Sequence, residues 1–280
     1  MAAEASVRLH RLEAGGGEPV VLLHGFPESS YSWRHQVPAL AAAGFRVLAP
    51  DLRGYGRSPR PPGIARYRAR ELLADVARLI REETAGSAHV VGHDWGGVLA
   101  WRLAQLFPSL VRRLCILNAP HPAAYRRELG RGLGQWLRSW YALLFQLPLL
   151  PEALLRAGDF AVLERAWRTQ PLRPGTFTDE DIEEMKSALR GSGLSGPLAW
   201  YRAARRFPRD LSDPPQEVSA PTLLVWGERD PYLGVGLAEG LDRWVPGLRI
   251  ERLADASHWV QNDAHERVSR FLIGFLGGDG

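Results

Sequence analysis

The sequence has little cysteine and lysine. Its only cysteine, Cys115, cannot form an intramolecular disulfide and lies in the apolar stretch LCILN, so we expect it to be a buried small hydrophobe in a cytoplasmic protein. Lys186 is the only lysine, so arginine supplies nearly all of the positive charge. The net charge is +4 over 280 residues, too weak and too evenly spread to indicate a nucleic-acid-binding protein.

Long apolar runs are also missing. No stretch reaches the roughly 18 uninterrupted apolar residues of a membrane span. The start of the chain, MAAEASVRLHRLEAGGG, lacks the apolar core of about 7 to 15 residues that a secretory signal needs. The most apolar segment, WYALLFQLPLLPEALL, is broken by Pro148 and Pro151, which predicts paired helices with an apolar face. We expect no membrane span, while a peripheral membrane contact stays open.

Short β-rich runs alternate with longer helical patterns. In residues 67–84 the apolar positions recur at helical spacing, and the segment AHERVSRFLIGFL predicts a last helix. The β-rich runs are VVLLHG, FRVLAPD, AHVVGH, VRRLCILN, PTLLVWG and LRIERL. This alternation predicts an α/β fold with a mostly parallel central sheet flanked by helices. With 45% hydrophobic residues, the chain fits one large domain that carries an insertion.

The pattern changes in the middle of the chain. From about Ala119 to about Glu217 the strand runs stop, and the sequence becomes helical, punctuated by proline and rich in Trp and Tyr. We interpret residues 119–217 as an inserted helical lid (cap). Residues 1–118 and 218–280 would then form the core.

The stretch VVGHDWGG resembles the sharp strand–turn–helix elbow of serine hydrolases, but Asp94 occupies the position of the serine. Gly92, Gly96 and Gly97 allow the close backbone approach that such a turn needs. A carboxylate is already ionised at pH 7 and needs no base to become a nucleophile. It suits displacement at a saturated carbon, which leaves an alkyl ester on the enzyme.

Hydrolysis of such an ester needs a histidine, a carboxylate that orients it and donors for an oxyanion. Asp230 follows a strand in LLVWGERDPYL, and His258 lies in LADASHWVQND after the next one. The order nucleophile, acid, histidine is the one expected of this elbow. The loop HGFPES and the residue after Asp94 provide two candidate oxyanion donors, the backbone N–H groups of Phe26 and Trp95.

Over nearly its whole length the chain resembles the epoxide hydrolases of the α/β-hydrolase superfamily. The motifs that carry the resemblance are HGFPES, DLRGYGRSPRP, GHDWGG, NAPHP, WYALLFQ, WYR, WGERD and SHW. It implies that Tyr141 and Tyr201 of the lid hydrogen-bond the epoxide oxygen and protonate it, and that the Phe26–Pro27 peptide bond is cis. We expect Phe26, Pro27, Trp95 and Trp259 to line the substrate pocket.

Tyrosines at these two positions are also expected on chemical grounds, independently of the resemblance. Opening an epoxide creates an alkoxide, a poor leaving group that needs an acid, and neutral phenols supply one at pH 7. This scheme requires no metal or cofactor, only a small apolar epoxide and water. We expect His24, His93 and His121 to be structural. The protein would be a monomer or a homodimer.

Other functions remain open. A haloalkane dehalogenase would use the same aspartate, but many have a halide-binding asparagine where this chain has Phe26. Fluoroacetate dehalogenases usually follow the aspartate with arginine, where Trp95 stands here. A non-enzymatic ligand receptor on a hydrolase fold is the third alternative, and it would be free to lose part of the catalytic set.

Overall fold

A seven-stranded sheet forms the centre of the protein, as seen in a computed structural model that describes residues 7–212, 214 and 217–278. The strands are β1 (Arg11–Ala14), β2 (Glu18–Leu23), β3 (Phe45–Pro50), β4 (Ala88–His93), β5 (Val111–Leu117), β6 (Thr222–Gly227) and β7 (Arg249–Leu253). Their order across the sheet is β1-β3-β2-β4-β5-β6-β7. Only β1 runs antiparallel, so the predicted mostly parallel sheet is confirmed.

Twelve α-helices accompany these strands in the part of the chain that the structure describes. Those before β5 or after β7 are α1 (Gln36–Ala42), α2 (Ala69–Glu83), α3 (Asp94–Leu106), α11 (Val260–Asp263) and α12 (His265–Gly277). Those between β5 and β6 are α4 (Pro122–Arg131), α5 (Leu133–Arg138), α6 (Trp140–Leu144), α7 (Leu150–Thr169), α8 (Asp179–Ser192), α9 (Ser195–Arg206) and α10 (Arg209–Ser212). None of the described helices is long and apolar enough to cross a membrane.

Successive side chains of each strand point to opposite faces of the sheet, so the protein has two hydrophobic cores, one on each face. Val90 of β4 and Ile116 of β5 pack with α2 and α3, whereas Val91 and Cys115 pack with α12 on the opposite face. Cys115 is fully buried, as predicted, and burial raises the pKa of its thiol. Helices therefore cover both faces of the parallel sheet.

The predicted lid corresponds to α4–α10, and its proposed limits at 119 and 217 stay a prediction. Residues 213, 215 and 216 of that range, and residues 1–6 and 279–280 of the predicted core, lie outside the described residues. Phe160, Trp167 and Leu198 of these helices belong to a third hydrophobic cluster, which also includes Trp259 from the loop after β7.

The prediction for Pro151 was wrong. Only Pro148 lies between α6 and α7, while Pro151 is in the first turn of α7. A proline in the first turn removes no helical hydrogen bond, so it starts a helix rather than breaking one.

Candidate active site

The carboxyl ends of four neighbouring strands bring the polar side chains of the site together. Asp94 follows β4, Asn118 follows β5, Asp230 follows β6 and His258 follows β7. The strands are paired in parallel with His93 beside Leu117, Leu117 beside Val225 and Gly227 beside Leu253. Ligands bind at this edge in open parallel sheets.

Asp94 occupies a strained turn between β4 and α3, with a φ of +49°. A side chain at Gly96 would collide with the backbone of Leu23 and His24, and one at Gly92 would lie 2.5 Å from the Gly96 carbonyl oxygen. These contacts explain why the elbow needs glycine. The Phe26 N–H donates a hydrogen bond of 2.8 Å to Asp94 Oδ1. The predicted nucleophile and the predicted oxyanion donor are therefore in direct contact.

His258 bridges the two aspartates. Its Nδ1 lies 2.7 Å from Asp230 Oδ2, and its Nε2 lies 3.7 Å from Asp94 Oδ2. Burial disfavours a charged imidazole, but the adjacent Asp230 and then Asp94 more than offset it and raise the pKa of His258 to about 9. Burial likewise works against ionised Asp230, but His258 and the hydrogen bond from Asn118 hold the pKa of this carboxyl below its ordinary value.

Asn118 belongs to this site, although the sequence reasoning gave it no role. Its Nδ2 donates to Asp230 Oδ2 at 2.8 Å and to the Gly227 carbonyl at 3.1 Å, and its Oδ1 accepts the Gly227 N–H at 2.7 Å. Asp230 Oδ1 accepts the N–H groups of Tyr232 and Leu233. The sequence does contain an indication of this role, because Asn118 is a polar residue directly after a buried strand, at the start of the NAPHP motif.

A second group of polar residues lies behind the histidine and was also missed. Glu28 of the HGFPES loop is buried, and its carboxylate lies 3.0 Å from His93 Nδ1 and accepts the Ser32 hydroxyl at 2.7 Å. The Nε2–H of His93 can donate to the His258 carbonyl at 2.9 Å. Burial alone would raise the pKa of Glu28, but His93 and Ser32 hold it below its ordinary value. His93 thus ties the HGFPES loop to the loop of His258.

The other two histidines that we expect to be structural are His24 and His121, and neither forms a hydrogen bond with the Asp94 carboxylate. His24 accepts the Leu52 N–H on Nε2 at 3.0 Å, and its Nδ1 lies 2.9 Å from the Gly25 carbonyl oxygen. His121 caps α4 by accepting the Ala123 N–H. Burial lowers the pKa of both side chains, so each is neutral at pH 7.

Two cavities meet at the predicted nucleophile. The larger has a volume of about 980 Å³ and the smaller about 450 Å³. Three residues line both cavities: Asp94, Tyr141 and Tyr201. The two tyrosine rings come from α6 and α9, with their centroids 6.1 Å apart.

The remaining predicted pocket residues lie around this junction. Phe26, Pro27 and Trp259 line the larger cavity, and Trp95 lines the smaller one. The Phe26–Pro27 peptide bond is cis, as the resemblance implies. Burial raises the pKa of Tyr201 well above that of a free phenol, reinforced by Tyr141 and Asp94, so its hydroxyl stays neutral. The same holds for Tyr141, where burial and the charge of Asp94 are the main causes.

Tyr232 connects the loop after β6 with the end of α7, a contact that the sequence did not predict. Its hydroxyl donates to Gln170 Oε1 at 2.8 Å, next to the end of α7. Its ring lies 5.2 Å from the ring of His258 and 5.5 Å from that of Tyr141. The motif WGERDPYL contained this tyrosine, but no spacing indicated that it would reach the lid.

Sheet order, elbow and site define an α/β hydrolase with an aspartate in the nucleophile position. The sequence model of the alpha/beta hydrolase fold family matches residues 18–264, and the chain belongs to that family. The predicted fold class is thereby confirmed. Within the superfamily, its similarity is to the epoxide hydrolases, as the following relatives show.

The chain is 39% identical to the AB hydrolase superfamily protein YfhM of Bacillus subtilis (strain 168), over 96% of this chain and 94% of that protein. It is 35% identical to epoxide hydrolase 4 of Mus musculus, over 98% of this chain and 77% of the mouse protein. Among solved structures, an epoxide hydrolase of Bacillus megaterium in complex with an inhibitor matches with a TM-score of 0.90 and 29% identity, over 97% of both chains. A variant of that enzyme was solved with its product (R)-3-[1]naphthyloxy-propane-1,2-diol. The chain therefore groups with the epoxide hydrolases of the α/β-hydrolase superfamily.

Proposed function

We propose that this protein is an epoxide hydrolase that converts an apolar epoxide to a vicinal diol through an alkyl ester on Asp94. The observation that carries the proposal is the junction of the two cavities, where one carboxylate and two neutral phenols face the same space. A nucleophile and proton donors are the two groups that epoxide opening requires. The relatives that carry the name epoxide hydrolase support the same reading.

In the first step Asp94 Oδ2 attacks an epoxide carbon and the carbon–oxygen bond breaks. Oδ1 is held by the Phe26 N–H, which leaves Oδ2, on the side of His258, as the attacking atom. Tyr141 and Tyr201 hydrogen-bond the departing oxygen, and one of them gives it a proton. That tyrosinate recovers a proton from protonated His258 through water that refills the cavity, which leaves His258 neutral for the second step.

In the second step His258, oriented by Asp230, takes a proton from water, which adds to the carboxyl carbon of the ester. The negative charge develops on Oδ1, next to the Phe26 N–H and to that of Trp95 in the first turn of α3, where N–H groups have no partner within the helix. The bond from this carbon to Oδ2 then breaks, and Oδ2 takes the proton that His258 removed from water and leaves as a hydroxyl group of the diol. Esterification removes one of the charges that raise the pKa of His258, so the base is easier to deprotonate in the step that needs it.

The substrate we propose is a medium-sized epoxide with apolar substituents. Aromatic and aliphatic side chains dominate both cavity linings, among them Phe145, Leu155 and Trp167. The naphthyloxy diol bound by the variant Bacillus megaterium enzyme has this character. An aryl glycidyl ether is therefore a suitable first substrate.

The test of the two-step scheme is intact-mass analysis of a His258→Gln variant after addition of an aryl glycidyl ether. The variant should keep the first step and lose the second, so its mass should rise by the mass of the epoxide, with the adduct on the peptide that contains Asp94. The matched control, Asp94→Asn/His258→Gln, should show no early adduct. Substrate consumption by His258→Gln without any adduct would contradict the ester mechanism.

The same substrate decides between the two hydrolytic functions. Purified protein is given an aryl epoxide and a bromoalkane in one reaction, and diol and free bromide are measured together. We expect diol without bromide, because an alkoxide needs the acid that the two tyrosines provide. Bromide without diol would identify a haloalkane dehalogenase, and ligand binding with neither product would favour a receptor.

A further inference from the structure

The outer surface of the lid exposes an unusual amount of apolar side chain. Eleven of the fifteen large hydrophobic residues that are exposed in the described chain lie between positions 133 and 172. We define the apolar lid face by its six most exposed members: Leu133, Leu137, Trp140, Leu143, Leu149 and Val162, which are 49–79% exposed. Contiguous exposed patches of this kind mark interaction sites.

Positive charge predominates in the segment that carries this face. Residues 122–174 contain eight arginines and four acidic residues, a surplus equal to the net charge of the whole chain. Each acidic residue already has an ion pair: Glu128 with Arg127, Glu152 with Arg202, Asp159 with Arg190 and Glu164 with Lys186. Of the eight arginines in residues 122–174, four have no ion pair within the described part of the chain: Arg126, Arg138, Arg156 and Arg165. The face therefore carries uncompensated positive charge.

The openings of both cavities lie within the same surface. Leu137, Trp140 and Val162 line the larger cavity although each is more than half exposed. Arg138 and Arg165, which have no ion pair within the described residues, line it with them. The smaller cavity is lined by exposed Trp136 and Leu143 and by Arg126. Apolar, tryptophan-containing and positive surface thus surrounds the route to Asp94.

We propose that the apolar lid face docks onto the surface of an anionic phospholipid bilayer. Leucine and tryptophan side chains insert at the boundary between headgroups and acyl chains, while arginines stay at the level of the lipid phosphates. A neutral surface would satisfy the leucines but leave the unpaired arginines without counter-charges. A second copy of this chain fits less well, because an isologous contact would bring the same positive surfaces together.

Docking places the cavity openings against the lipid bilayer, where apolar molecules accumulate. Delivery of an epoxide from the bilayer rests on the proposed function, whereas the docking itself does not. For this reason the test measures binding without turnover, and a failure of the proposed function would leave its result unaffected.

The experiment is vesicle flotation of the full chain. Wild type should float with phosphatidylcholine vesicles that contain about 30% phosphatidylglycerol at low salt, bind pure phosphatidylcholine at least about tenfold more weakly, and lose most binding at about 0.5 M salt. The variant Leu133→Gln/Leu149→Asn should partition about tenfold less into the anionic vesicles. Asparagine suits position 149, where φ is +64°. The variant Arg126→Gln/Arg156→Gln should lose most of the preference for anionic lipid.

The matched control is Arg8→Gln/Leu12→Gln, which changes an exposed arginine before the edge strand β1 and an exposed leucine within it, both outside the apolar lid face. It should bind vesicles as wild type does. Absence of wild-type flotation, or equal flotation of the leucine variant and the control, would overturn the proposal. Analytical ultracentrifugation adds one further outcome. A dimer that only the leucine variant abolishes, together with no vesicle binding, would assign the face to self-association and would also overturn it.

Discussion

Asn118 contributes three hydrogen bonds to one small region of the site. It joins the ends of β5 and β6 and holds the carboxylate that orients His258. Removing a buried partner costs more than the bond itself, because the groups left behind are desolvated and unpaired.

Replacement of Asn118 by alanine should lower the free energy of unfolding by about 2 kcal/mol and slow ester hydrolysis about tenfold. Without this donor the pKa of Asp230 rises, and the ion pair with His258 weakens. Denaturant unfolding measures the first effect. Single-turnover kinetics across pH measures the second, and a variant that is only unstable would keep the wild-type pH profile.

The two lid tyrosines should both contribute to the first step. The double variant Tyr141→Phe/Tyr201→Phe should form the ester at least about 1,000-fold more slowly, since no acid then meets the alkoxide. In the wild type, the rate of ester formation should show no decline from phenol ionisation up to about pH 10, because the pKa of both hydroxyls lies well above the ordinary value. Stopped-flow measurements check both expectations. Tyr67→Phe, in the core and outside both cavities, is the control.

Helix α9 carries Tyr201, so the packing of this helix against the core determines the position of the tyrosine. Gly196 in its first turn packs against Gly54 of the loop after β3, and a side chain there would lie 2.7 Å from the Gly54 Cα. Four residues further along, the Trp200 indole N–H donates to the Arg53 carbonyl at 3.0 Å. The close glycine contact brings the helix that carries Tyr201 against the core.

The variant Gly196→Ala should displace α9 and slow ester formation by about 10- to 100-fold, since small errors of position cost that much. Gly191→Ala in α8 is the matched control, because a side chain there would meet nothing within 4 Å. It should be neutral or stabilising by up to about 1 kcal/mol. Equal rates for the two variants would show that the glycine contact does not position Tyr201.

How well an element can be predicted depends on how close together in the sequence the residues that determine it lie. β4 and α2 were predicted well because their apolar residues repeat within a few positions of each other. β1 was missed because it is a short, half-exposed edge strand without an apolar run. Asp94, Asp230 and His258 were predicted as a set from their order. Asn118 and Glu28 were not, because their partners Asp230 and His93 lie at or just after the ends of strands that are distant in sequence and adjacent only in the sheet.

For the whole molecule, loss of the proton from His258 lowers the free energy of unfolding as the pH rises above neutral. Its pKa is about 9 in the folded protein, above the unfolded value of about 6.5, so the folded state binds the proton more tightly. The resulting stabilisation is complete below pH 6.5 and is lost as the pH rises through 9. The histidines with lowered pKa, such as His24 and His35, change stability only below pH 6.5.

Unfolding free energies measured between pH 6.5 and 9.5 should therefore decline in the wild type. In His258→Gln, the part of the decline that comes from this histidine should be gone. Urea titrations at several pH values give both curves. Parallel curves for the two proteins would mean that His258 does not hold a proton in the folded state at neutral pH.

The two cavities differ in volume, and this difference can orient an epoxide that has two unequal substituents. Asp94 and the tyrosine pair stand where about 980 Å³ of space meets about 450 Å³. An epoxide that places its bulkier substituent in the larger cavity would present the same ring carbon to the carboxylate in every turnover. Mirror-image epoxides would then present different carbons to Asp94, and handedness of the product would follow from a difference in volume rather than from any single contact.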